Sequence, residues 1–99
     1  MLIKLKSDQG QMDLSGRFVF ETHREFRSTA ERLLQYPGAE IRIDLAGVDY
    51  MDSSALGMLL VLNDKANRLG KSLVVNCGDV ETRKLFEVGH LDEKFTVMS

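Results

Sequence analysis

The chain has no tryptophan, one proline, one cysteine and two histidines among its 99 residues. Each scarcity excludes something. A lone cysteine, Cys77, forms no intrachain disulfide, so the fold has to stand on its core. One cysteine and two distant histidines, His23 and His90, offer no metal-ligand spacing, and no metal site is expected. There is no Gly-rich phosphate loop and no Gly-x-Ser-x-Gly elbow, so no cofactor and no catalytic residue is expected. Long apolar runs are missing too: none approaches the roughly 18 residues that span a bilayer. Charge of one sign is scarce, because 13 basic and 15 acidic side chains leave a net charge of −2. That balance gives no cationic surface for nucleic acid or anionic lipid. The start, MLIKLKSDQG, alternates apolar and basic residues and lacks the apolar core of a signal peptide, so the expected location is cytoplasmic.

What is present is the mix of an ordinary globular domain, 43% apolar and 28% charged, and residues 1–99 are read as a single domain. Ile3 and Leu5 alternate with Lys4 and Lys6, and Met12 and Leu14 alternate with Gln11, Asp13 and Ser15. The turn-formers Ser7-Asp8-Gln9-Gly10 lie between them, which predicts a β-hairpin. Phe18-Val19-Phe20 continues as an apolar segment, with Phe18 and Phe20 expected on one side and Val19 on the other. Thr22 and Glu25 fit a capping box. Phe26, Ala30, Leu33 and Leu34 then share one helical face until Pro37-Gly38.

Ile41, Ile43 and Leu45 alternate with Glu40, Arg42 and Asp44, a strand with one buried face, followed by a loop carrying Gly47. A second helix is expected from about Ser53 to Leu69, with Gly70 as its terminator. Ser72 to Cys77 reads as a strand, Asp79 to about Val88 as a third helix ended by Gly89, and Phe95 to Met98 as a short last strand. The order β-β-α-β-α-β-α-β predicts a small α/β domain: a mixed sheet with helices mainly on one face.

The informative stretch is Asp44-Leu45-Ala46-Gly47-Val48-Asp49-Tyr50-Met51-Asp52-Ser53-Ser54-Ala55-Leu56-Gly57. Physically it is a strand, a turn and a helix start, and Asp52 or Ser53 can cap the free N–H groups there. On the helical wheel Ala55, Leu59, Leu62, Ala66 and Leu69 form the core stripe. Ser54, Gly57, Val61, Asp64, Lys65 and Arg68 lie opposite, with Met58 and Leu60 on the borders. A glycine costs roughly 1 kcal/mol in an exposed helical turn. Gly57 beside Val61 and Met58 therefore reads as a shallow docking surface with an apolar rim.

The string MDSSALG, preceded by DLAGVDY, resembles the phosphoacceptor motif of bacterial anti-sigma factor antagonists, which are single STAS domains. The resemblance covers the chain in length and element order. It implies a partner switch. The unphosphorylated antagonist binds an anti-sigma factor, often itself a serine kinase, and so frees a sigma factor. Phosphorylation of the first serine ends that binding, and a serine phosphatase restores it. Carried onto this chain, the acceptor is Ser53. Asp52, Ser54, Ala55, Gly57, Met58 and Val61 are partner-binding positions, with Phe18 and Val19 as further candidates. Family members often carry an acidic residue three positions beyond the glycine that here is Gly16, and this chain has Val19 there. A second expectation of the same resemblance is a non-catalytic STAS subunit of an ATP-driven lipid transport complex. An enzyme using Ser53 would need a base within hydrogen-bond reach, and His23 and His90 are both read as surface residues at helix ends. The free chain is expected to be a monomer.

Overall fold

The computed structural model describes residues 1–77 and the backbone of 96–98. The expected helix from Asp79 to about Val88, Gly89, His90 and Phe95 lie outside the described residues.

The hairpin forms as its alternation dictates. Strand β1 (Leu2–Lys6) pairs antiparallel with β2 (Gln11–Phe18), Ile3 opposite Leu14 and Leu5 opposite Met12. Three parallel pairings follow: β2 with β3 (Glu40–Met51), β3 with β4 (Ser72–Asn76), and β4 with β5 (Thr96–Met98). The strand order in the sheet is β1-β2-β3-β4-β5. Helix α1 (His23–Leu33) connects β2 to β3, and α2 (Ser53–Arg68) connects β3 to β4. Right-handed crossovers that step the same way across a sheet place both helices on one face. The core lies beneath them. Met12, Leu14, Ile41, Ile43 and Leu45 from the sheet meet Phe26, Ala30 and Leu33 from α1 and Ala55, Leu59, Leu62 and Ala66 from α2.

The other face of the sheet is polar. Lys6 and Asp13 form an ion pair at 3.0 Å, and Gln11 Nε2 donates to Asp13 at 2.7 Å. Burial pushes the Asp13 carboxyl up. The hydrogen bonds from Gln11 and Lys6 and the charges of Lys6 and Lys4 outweigh it and hold the carboxyl below its ordinary value. A carboxylate with a lowered folded pKa stabilises the fold above its unfolded pKa, near 4, and loses that contribution as the pH falls through the folded value. Lys6→Met is therefore expected to cost about 0.2–1 kcal/mol at neutral pH, the range of exposed pairs. The gap from wild type should close below about pH 4. Urea melts across pH 2–7 measure it, and a gap that persists in acid would assign the effect to packing instead.

The strand β3 is longer than its sequence suggests. Alternation is clean through Leu45, and a loop was expected after it, yet the strand continues to Met51. Two register shifts against β2 explain the difference. Asp13 pairs with Asp44 but Ser15 with Gly47, and Gly16 pairs with Val48 but Arg17 with Tyr50. Each shift inserts one extra residue on β3, a bulge. The buried positions therefore step to Val48 and Met51, a spacing of three that period-two reading misses. Gly47 is required at the first shift: a Cβ there would lie 2.8 Å from the Ser15 Cβ. The bulges carry the end of β3 to the start of α2.

Three other expectations change. A 3-10 turn (Phe20–Thr22) precedes α1, so Phe20 leaves the strand, stands 56% exposed and does not share a side with the buried Phe18. Thr22 makes no capping bond. Its hydroxyl donates to the Val19 carbonyl at 2.6 Å, because the 3-10 turn sets the helix entry in place of a capping box. Leu69 is 60% exposed at the end of α2 rather than part of the core stripe. Gly70, at φ +75°, turns the chain there, and Lys71 N–H donates back to the Ala66 carbonyl at 2.8 Å.

Candidate functional site

The start of α2 is fixed by one carboxylate. Asp52 is extended, at φ −105° and ψ 177°, and its Oδ1 accepts from Ala55 N–H at 3.0 Å. That is an N-cap, and of the two capping residues the sequence offered, Asp52 and Ser53, it is Asp52 that fills the position. Its Oδ2 accepts from Phe20 N–H at 3.1 Å, across 32 positions of sequence. Asp52 N–H in turn faces the Phe18 carbonyl at 3.4 Å. The end of β2 and the end of β3 are thus tied together at this residue.

Ser53 is the first residue of α2 and is exposed. The first turn of α2 contains no acidic side chain, whereas Lys65 and Arg68 occupy the last turn. The backbone N–H groups of the first turn are an electropositive end, and the cations complement the opposite one. An anion on Ser53 would face those N–H groups, so the helix tolerates it.

The surroundings are apolar and aromatic. Phe20 stacks on the His23 ring, centroids 4.7 Å apart at 17°. His23 Nδ1 lies 2.8 Å from the Phe20 carbonyl, and since a carbonyl only accepts, Nδ1–H is the donor. Arg17 holds its guanidinium 4.6 Å from the Tyr50 ring centroid, a cation–π contact. Phe20, Tyr50 and Val61 are each half or more exposed. Gly57 is open: a Cβ placed there would meet nothing within 4 Å. From Gly57 an open groove of about 410 Å³ runs between α1 and α2, floored by Phe26, Ala30, Leu34, Met58 and Leu62 with Val61 on its lip.

Most of the residues singled out in sequence come together here. Ser53, Gly57 and Val61 are exposed, and Asp52, Ser54, Met58 and Val19 are partly so. Two are not on the surface. Ala55 and Phe18 are 0% exposed. Ala55 sits on the core side of α2, and Phe18 ends β2 with its ring 5.0 Å from that of Phe26. Neither can offer a side chain to a partner, which corrects the expectation for both. Phe20, tied to Asp52 and stacked on His23, and Tyr50, under the Arg17 guanidinium, are not among the site residues read from sequence. The usable signal for Phe20 was the helix start immediately after it, which places an aromatic in the turn and not in the strand. Among the described residues no cluster of three metal-ligating side chains occurs and no helix is long and apolar enough to cross a membrane.

A sheet of this order with two crossover helices on one face, the second opening on a serine, defines a small α/β domain. The chain belongs to the STAS-domain family. The family model described as Mlab, STAS domain, matches residues 1–98. A STAS-domain containing protein of Pseudomonas aeruginosa strain UCBPP-PA14 is 36% identical over 97 residues, covering 94% of each chain. In three dimensions the chain is similar to the anti-sigma factor antagonist SpoIIAA in its unphosphorylated form, with TM-score 0.71 and 16% identity over 99% of this chain and 86% of that one. It is also similar to a Thermotoga maritima protein assigned as an anti-sigma factor antagonist, with TM-score 0.79 and 15% identity over 99% and 85% of the two chains. At these identities the two structures establish the fold.

Proposed function

We propose that this chain is a cytoplasmic, phosphorylatable anti-sigma factor antagonist, a binding module rather than an enzyme. The observation that carries the reading is Ser53, exposed at the first position of α2 behind the Asp52 cap. The unphosphorylated form docks on an anti-sigma factor that is itself a serine kinase, and a sigma factor is released. In the kinase step the Ser53 Oγ forms a bond to the γ-phosphorus of ATP as the bond to the bridging oxygen of ADP breaks. The hydroxyl proton leaves to a base of the kinase. A serine phosphatase reverses the state by hydrolysis, giving inorganic phosphate and the free hydroxyl.

The switch needs no refolding. Phosphorylation adds about −1.5 to −2 charge at pH 7, and the N-terminus of α2 accommodates it. Docking is what suffers. A dianion among Phe20, Gly57 and Val61 must be desolvated against an apolar partner surface, and any partner carboxylate repels it. Wild type, Ser53→Ala and Ser53→Asp on a solid support, exposed to lysate of the source cells, test this. Wild type and Ser53→Ala should retain a kinase-type partner, and Ser53→Asp should retain at least about tenfold less. Equal retention by all three would overturn the switch. It would favour the second reading, a constitutive non-catalytic subunit of an ATP-driven lipid transport complex. The groove between α1 and α2 supports that alternative, because Ser53 is not among its lining residues.

A further inference from the structure

Asp52 does two jobs with two oxygens. Capping α2 takes only one of them, and a helix start asks for nothing more. The other reaches Phe20 N–H at 3.1 Å, in a segment 32 residues away. That amide is the first of the 3-10 turn, and the turn carries the exposed Phe20 ring stacked on His23. The turn's other bonds stay local: the Thr22 hydroxyl and Thr22 N–H close onto the Val19 carbonyl, and the His23 N–H and Nδ1–H onto the Phe20 carbonyl. Among the described residues, the Asp52 bond is the side-chain tie from the turn to the start of α2.

We propose that Asp52 is a positioning residue that clamps the Phe20–His23 turn to the start of α2, making Phe20, His23 and Ser53 one docking surface, and that a phosphoryl group on Ser53 acts on that turn by disturbing the clamp. The second half rests on the reading of Ser53 as a phosphoacceptor. The chemistry is competition. A phosphoryl dianion at the first helical position seeks the N–H groups of the first turn and competes with Asp52 Oδ1 for the Ala55 N–H it accepts from. It also stands next in sequence to the Asp52 carboxylate and repels it. Asp52 moves, and Phe20 N–H loses its acceptor. One modified side chain thereby alters two parts of the surface: it adds charge at Ser53, and it frees the aromatic turn beside it.

The test is made on the whole free chain by amide exchange and chemical shifts. Asparagine and serine are both good N-caps, but asparagine has one acceptor oxygen for two donors, and a serine hydroxyl is too short to reach Phe20. Asp52→Asn and Asp52→Ser should therefore keep Ala55 N–H protected while Phe20 N–H exchanges about tenfold faster, the worth of one such bond. A chain carrying phosphoserine at position 53 should shift the Phe20 and His23 amides in the same direction, with the amides of β1 and β4 unmoved. Unchanged Phe20 exchange in both Asp52 variants would overturn the clamp. Unmoved Phe20 and His23 amides in the phosphorylated chain would overturn the relay. None of these measurements uses a partner. A pull-down in which Ser53→Ala and Ser53→Asp behave alike would remove the switch and leave the clamp result standing.

Discussion

Phe18→Ala is expected to lower the unfolding free energy by about 3–5 kcal/mol, the cost of removing a fully buried aromatic ring and leaving a cavity. Phe18 is 0% exposed, ends β2 and packs its ring 5.0 Å from Phe26 under α1. A domain of this size holds about 5–15 kcal/mol in all, so the loss should be plain in the midpoint of a urea melt at unchanged slope. The same variant separates core from surface. Its folded fraction, held at low temperature without denaturant, should retain the Ser53-dependent partner as wild type does. A loss below about 1 kcal/mol, far short of a core aromatic, together with lost retention would return Phe18 to the docking surface.

Gly10→Ala is expected to cost about 2–4 kcal/mol through two effects. The residue is buried at φ +63°, where a side chain is strained. An added Cβ would also lie 2.4 Å from the Tyr36 ring. Gly38 leaves room for the same ring, since a Cβ there would lie 2.4 Å from Tyr36 Cε2. Tyr36 thus occupies a slot made by two missing side chains. The backbone around it is held by Lys71, whose Nζ donates to the Tyr36 carbonyl and, at 2.7 Å, to that of Gly38. Gly10 itself is tied to the sheet, its carbonyl accepting from Arg42 N–H at 2.8 Å. In a Tyr36→Ala background the clash disappears and Gly10→Ala should cost only the backbone strain, about 1–2 kcal/mol. Equal costs in both backgrounds, from thermal or urea melts, would remove the ring from the explanation.

The elements that were legible in sequence are those whose pattern is local. Ile3, Leu5, Met12 and Leu14 announce the hairpin, and Phe26, Ala30 and Leu33 announce the buried face of α1. Asp52-Ser53 marks the start of α2 to within a residue, and the structure puts the cap on Asp52. What failed depends on neighbours that sequence does not display. The second half of β3 was hidden because the two bulges change its buried spacing from two to three. Thr22 looked like a cap because its spacing to Glu25 is right, while the 3-10 turn that makes a cap unnecessary leaves no periodic trace. Ala55 stands with the docking residues on the strength of a motif, and Phe18 on its place in the apolar segment after Gly16. A motif records which residues travel together, not which of them face out. The clamp between Asp52 and Phe20 was out of reach, because its partners are distant in sequence and only the parallel pairing of β2 with β3 brings their ends together.

The strand order also bears on how the chain is made. Among the described residues, every strand after β1 lies beside its immediate predecessor in sequence. During synthesis, which delivers the N-terminal part first, no strand must wait for a later one before it can pair. The residues around Ser53, from Arg17 on β2 to Val61 on α2, belong to the first two-thirds of the chain. Their strand partners are in place before β5 leaves the ribosome. The surface around Ser53 is therefore laid down before β5, which joins the sheet at its edge beside β4.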